Sequence, residues 1–368
     1  MIKRQGLFPV QNTAFALVIL VIVVYFLFIL KEIFIPFIFA GLLSFLLYPI
    51  CRFLEKHHFP RPLAILMAII VAISILGSIV YFSYTQIIQL ESLIPLIEKK
   101  GTVWITSIEK LLRRNLHINQ NQLVAESQKY MTEILKNSTQ FIGQTLSTTS
   151  GFLLNISLLP LYIFLFLLYR DFLKTFVYKL MRTSSKHTIS NTINKINGVV
   201  RNYIVGLLLV ILIVGILNTG ALYFLEIEHA LFFGFFASFL VLIPYIGIAI
   251  GSALPIMVAL ITKDSYWYPA GVAASFFVIQ FLEGNFITPM IVGNKVSINS
   301  LAAIMSLLLF ANLWGISGLV LALPLTAIVK VIFDSSDSLK AWGFLLGDSD
   351  HIDVQATKKN FNFKGFWK

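Results

Sequence analysis

Apolar runs of about 20 residues follow one another along most of this chain, the length a helix needs to cross a roughly 30 Å hydrocarbon core. Hydrophobic residues make up 58% of the 368 and charged residues only 12%. A soluble domain carries about 45–50% and about 25%, and no soluble core of this size could bury so many such runs. The pattern predicts an all-α polytopic membrane protein with about eight membrane segments and a small helical extramembrane insert.

The first three spans are expected at Asn12–Leu30, Ile33–Phe53 and Leu63–Tyr84, within residues 1–84. Lys3 and Arg4, then Arg52, Lys56 and Arg61, place the N-terminus and the loop after span 2 in the cytoplasm by the positive-inside rule. Residues 85–150 are polar, with apolar positions at helical spacing (Ile87, Leu90, Ile94; Trp104, Ile108, Leu111), an insert that alternation places outside. Span 4, Phe152–Leu168, leads to a basic loop at 170–201, where Arg170, Lys174, Lys179, Arg182, Lys186, Lys195 and Arg201 stand against Asp171 alone. Its stripe Ile189, Ile193, Ile196 and Val200 predicts a helix lying in the cytoplasmic interface. Arg201 and Tyr203 are expected as interfacial anchors at the start of span 5, Tyr203–Leu225. The lysine-rich stretch 334–368 is expected as a mobile cytoplasmic tail.

Residues 202–333 form the expected transport core, and two of its segments are interrupted. Ala230–Thr262 has no charged residue over 33 positions, too long for one straight crossing, and carries Pro244, Gly247, Gly251 and Pro255. Segment 300–329 repeats the situation with Gly315, Gly318 and Pro324. Each is either a re-entrant hairpin or a broken span, and Lys263-Asp264 separates the two cases: outside for hairpins, inside for crossings. Corresponding Gly/Pro-interrupted segments point to a transporter's site between two repeats.

Glu283, within the apolar run Trp267–Val292, is the only acidic residue well inside any long apolar run. A carboxylate at that depth is costly, and burial favours its neutral form, which suits a group that takes up and releases a proton. Gln280 precedes it by one turn; Asn285 and Pro289 follow, and a proline break would free carbonyl oxygens beside the carboxylate. The ordinary alternative is an interfacial Glu283 paired with Lys263 or Lys295. Asn218 and Asn312 are further polar groups at membrane depth, as pathway residues or as interhelical hydrogen-bond partners.

The sequence holds no Walker sequence, H-E-x-x-H or G-x-S-x-G motif, so no enzyme activity is expected. One cysteine and six dispersed histidines predict no metal site and no cofactor. The net charge of +11 fits basic cytoplasmic loops rather than nucleic-acid binding.

Several motifs resemble the autoinducer-2 exporter-like family of bacterial membrane permeases. They are Tyr169-Arg-Asp171, Arg201-Asn-Tyr-Ile-Val-Gly206, Ile243-Pro-Tyr-Ile-Gly247, Glu283-Gly-Asn-Phe-Ile-Thr-Pro289, Val296-Ser-Ile-Asn299 and Trp314-Gly-Ile-Ser-Gly318. The resemblance covers roughly residues 10–335, and the family's Glu-x-Asn-x-x-x-Pro motif falls on Glu283, Asn285 and Pro289. It implies an inner-membrane exporter or facilitator that assembles as a homo-oligomer among membrane lipids. The leading expectation is a secondary transporter exporting a small polar solute such as an autoinducer-2-like molecule, with a proton or sodium as coupling ion. A sodium/proton antiporter is the alternative, and a non-transporting scaffold or accessory subunit the third reading.

Overall fold

The structure, a computed structural model, describes residues 10–91, 100, 149–180, 185–243, 246–293 and 298–347. Most of the 85–150 insert, Pro244, Tyr245, Lys295 and the chain beyond 347 therefore lie outside the described residues. Among the described residues the protein is helical, with no strand beyond one isolated bridge. Nine apolar helical stretches occur among them, as expected of a polytopic membrane protein, and five of these are by length and composition sufficient to cross a bilayer, although one, Ser300–Asp334, reverses within its length. In hydrocarbon a helix satisfies its own backbone, so these sequences have little choice of form.

Helices α1 (Val10–Ile29) and α2 (Lys31–Lys56) are joined at the single residue Leu30, and Lys31 and Glu32, which separate the first two spans in the sequence, form the first turn of α2. Helices α2, α3 (Arg61–Glu91) and α4 (Thr149–Leu168) share a core of Ala40, Leu47, Cys51, Ile65, Ala68, Ile69, Ile163 and Leu167. At one end this bundle is tied by charge. Arg61 donates to Asp171 at 2.8 Å and to the Leu167 carbonyl at 3.0 Å, while Arg170 donates to Glu55 at 2.6 Å and lies over the Tyr48 ring. About 25 residues on, α3 brings Gln86 to His229 (2.8 Å), marking the opposite end of the bundle.

Helix α5 (Arg170–Leu180) follows, and then α6 (Lys186–Phe224) runs unbroken for 39 residues. This corrects two expectations. The stripe from Ile189 to Val200 is the first part of α6, with Ile189 and Val200 buried in protein instead of facing headgroups. Tyr203 is likewise buried and is no surface anchor.

The segment 230–262 folds back on itself. Helices α7 (Ala230–Leu240) and α8 (Ile246–Thr262) pack side by side: a Cβ on Gly247 would overlap the Leu240 carbonyl, and one on Gly251 would come within 2.9 Å of Ala237. Both ends of this first hairpin lie at the Gln86 end of the bundle. His229 bonds Gln86 there, Lys263 pairs with Glu226 at 3.7 Å, and Lys100 reaches Asp264 at 3.3 Å. Lys263-Asp264 thus sits where α3 enters the insert, the position that separates a hairpin from a crossing. The turn itself falls at 241–245, and Pro255, expected at the break, is buried inside α8. Proline is tolerated there because neighbouring protein encloses the kinked backbone. The hairpin is held in a core of Leu222, Phe232, Phe233, Val258, Val272 and Phe276, between the end of α6 and α9 (Trp267–Leu282).

The second interrupted segment, α10 (Ser300–Asp334), reverses at Gly315, whose φ of 61° and ψ of −136° suit a residue without a Cβ. A Cβ on Gly318 would overlap the Phe310 carbonyl, so the arms before and after Gly315 lie against each other. Pro324, like Pro255, lies buried within the returning arm and not at the turn. The ends of this hairpin are clamped together. Asn299 caps the first arm by accepting from Ala302 N (2.8 Å), and its amide donates to the carbonyls of Leu345 (2.7 Å) and Gly347 (2.8 Å). Its backbone N–H bonds Leu346 O, and Ile298 bridges Gly347. The chain after Asp334 is therefore no free tail up to Gly347: it forms α11 (Lys340–Leu346) and closes the hairpin's base.

Gly318→Ala forces a methyl into the Phe310 carbonyl and is expected to cost about 1–3 kcal/mol or more, as overpacking does. Gly77→Ala, with nothing within 4 Å of the new methyl, is expected to stabilise α3 by about 0.5–1 kcal/mol. Thermal unfolding of the purified variants checks both directions.

Candidate functional site

Four residues of one membrane segment, Val272, Phe276, Ile279 and Glu283, are buried at helical spacing, while Phe277, Val278, Phe281 and Phe286 are exposed. Glu283 is therefore the inward continuation of an apolar stripe, and it retains only 7% of its exposure. At this residue the helix changes character. Helix α9 ends at Leu282, and two π-helical turns follow, Glu283–Ile287 and Pro289–Gly293. Such wide turns are rare and concentrate at functional sites.

Gln280 donates from Nε2 to Glu283 Oε2 at 2.6 Å, so one turn of α9 supplies a polar partner to the buried carboxylate. Of the polar residues singled out in the sequence, this is the pair the structure brings together. Asn285 is exposed and its amide donates to the Phe281 carbonyl at 2.9 Å, taking up an oxygen where the α pattern ends. Pro289 is also exposed and opens the second π turn without ending the segment. Asn312, exposed on the first arm of the second hairpin, donates to Leu308 O at 2.9 Å.

Asn218 is different. It is 4% exposed on α6, and its Oδ1, like the neighbouring Thr219 Oγ1, is buried without a hydrogen-bond partner among the described residues. Thr219 is the point where α7 crosses α6: a Cβ on Gly234 would overlap its Oγ1 and come within 2.5 Å of its backbone nitrogen. Gly234 is thus a close-approach glycine that let a hairpin arm reach the polar stretch of α6, a role sequence alone did not single out. A similar contact explains Gly206, whose position on α6 faces Ile291 and Val292 of the second π turn at 3.2–3.4 Å. Asn299 was visible as part of a motif, yet its role needed the fold, since its partners lie 46 and 48 residues further on.

No group of three metal-ligating side chains occurs among the described residues. What the arrangement offers chemically is a buried, hydrogen-bonded carboxylate at a break in helical register, together with nearly dry amide and hydroxyl oxygens on α6. These are the means by which a membrane protein binds protons, cations or small polar solutes.

Fold and site together define a polytopic helical membrane protein with two helical hairpins and a buried carboxylate in one of its apolar segments. The chain matches the model of the AI-2E family transporters over residues 15–337 and belongs to that family. It is 24% identical to the AI-2 transport protein TqsA of Escherichia coli (strain K12) over 333 residues, 86% of this chain and 90% of that protein. It is 24% identical to "Putative transport protein YrrI" of Bacillus subtilis (strain 168), over 83% of this chain and 86% of the relative. A transport protein of Borreliella burgdorferi, named with the same qualifier, is 27% identical over 94% of each chain. The family is made of transport proteins, and this chain is a membrane-spanning member of it.

The Gln280–Glu283 bond is testable by a double-mutant cycle. Gln280→Leu and Glu283→Leu are expected to couple by about 0.5–3 kcal/mol in unfolding free energy, the range for residues in contact. Strictly additive effects would contradict the bond.

Proposed function

We propose that the protein is a secondary transporter that moves a small polar solute, of the autoinducer-2 type, outward across the bacterial cytoplasmic membrane. Glu283 carries the reading: a carboxylate 7% exposed, on the inward stripe of a membrane segment, held by Gln280 where the helix widens into π turns. A carboxylate at membrane depth is costly to place and marks a functional position by default. Gln280 orients the carboxylate, and the π turn Glu283–Ile287 supplies carbonyl oxygens for solute hydroxyls. Membership of a family that includes an AI-2 transport protein supports the solute class. By the basic loops 52–61 and 170–201, both termini face the cytoplasm, and the protein works as a homo-oligomer surrounded by lipid.

Monovalent cation–proton antiport is the second reading, favoured by Asn218 Oδ1 and Thr219 Oγ1, buried oxygens that have no donor among the described residues. Hard oxygen ligands of this kind suit a sodium ion.

Efflux of autoinducer-2 from proteoliposomes, measured over a range of pH, tests the proposal. Glu283→Gln is expected to lower flux by about tenfold or more, the scale of one lost hydrogen bond to a charged group, and to flatten its pH dependence. Wild-type flux with an unchanged pH profile would contradict the role of Glu283. Sodium-dependent proton movement without any organic solute would select the antiporter instead.

A further inference from the structure

The amphipathic helix of the basic loop is α5 and not the stripe on α6, and its surroundings say what covers it. Its first two residues, Arg170 and Asp171, are ion-paired to Glu55 and Arg61, at the end of α2 and the start of α3. All three apolar helices stop there, so α5 begins where the hydrocarbon ends. None of its 11 residues is buried. At about 100° per residue, Phe172, Leu173, Phe176, Val177 and Leu180 fall on a single arc. Phe176 is 54% exposed and Leu180 71%. Lys179 borders this arc on one side and Lys174 on the other, while the helix's sole acid, Asp171, is engaged by Arg61.

We propose that α5 is a lipid-binding surface whose partner is the acidic headgroup layer of the bilayer. Its apolar arc enters the headgroup–acyl boundary, and Lys174 and Lys179 extend from the edges of the arc to phosphate oxygens. Charge decides the partner. A second copy docking through the same arc would set Lys174 and Lys179 against their own counterparts. A zwitterionic surface would accept the arc but give the lysines no net attraction, whereas an anionic one rewards each of them about fivefold in occupancy. The helix follows directly from α4, so its docking holds the intracellular end of that span at a fixed depth. The proposal rests on the membrane-spanning fold and is independent of what Glu283 does.

The test uses the full chain in a Cys51→Ala background, reconstituted in phosphatidylcholine bilayers with and without phosphatidylglycerol. A nitroxide is placed at Phe176→Cys or at Thr175→Cys, and its collisions with oxygen and with a water-soluble nickel chelate are compared. With phosphatidylglycerol the label at 176 is expected to favour oxygen and the label at 175 the chelate. The variant Lys174→Gln with Lys179→Gln is expected to lower the ratio of docked to undocked helix about 25-fold in those bilayers and to change nothing in phosphatidylcholine. Added salt should release the unmutated helix in the same way. Equal docking in both lipids, chelate access at 176 in both, or spin–spin broadening between copies at 176 would each overturn the proposal.

Discussion

The middle of a bilayer offers no water, so every peptide N–H and C=O there must find its partner within the protein. A chain that reverses direction at that depth has to do so inside other protein, with the two arms close enough to shield the turn. Gly247 and Gly318 meet this requirement in the same way. Each lies just after a turn, and each leaves space for a carbonyl of the opposing arm, Leu240 in one hairpin and Phe310 in the other. A methyl at either position would fill that space. The two hairpins, the clamp at Asn299 and the core around Phe233 follow from arms that must lie this close.

The same constraint bears on Glu283. Its segment crosses the apolar layer without a proline kink of the usual kind, because the backbone widens into π turns over the stretch that contains Pro289. Widening re-phases the helix. Up to Glu283 the buried positions recur at intervals of three and four, and beyond it that spacing no longer assigns a face. The carboxylate sits at the seam, inward and bonded to Gln280, with Asn285 tending the backbone on the outer side.

Much of this was legible in the sequence because bilayer thickness imposes a length. The apolar runs, the short joint between α1 and α2 and the two interrupted segments could be read from spacing alone, and so could the place of Glu283 within an apolar run, though not the face it takes. What could not be read was which glycine or proline does what. Pro255 and Pro324 look like breaks in a sequence, yet a proline enclosed by protein bends a helix without ending it, and the turns fall at 241–245 and Gly315 instead. The stripe from Ile189 to Val200 announces an apolar face, but period does not say whether protein or lipid covers it; here it is protein. Asn285 and Asn312 were polar groups at the right depth whose amides turn out to serve their own helices. Asn299 acts across nearly fifty residues of chain, and no local pattern carries such a contact.

The fold depends most on the first hairpin returning to the end it came from. Single cysteines at Lys263, Glu228 and Lys56, in a Cys51→Ala background, can be labelled from either face of the membrane with an impermeant maleimide. Lys263 labelling with Glu228, and from the face opposite to Lys56, is the predicted result. Lys263 labelling with Lys56 would mean that the segment 230–262 crosses, and the hairpin account would be wrong.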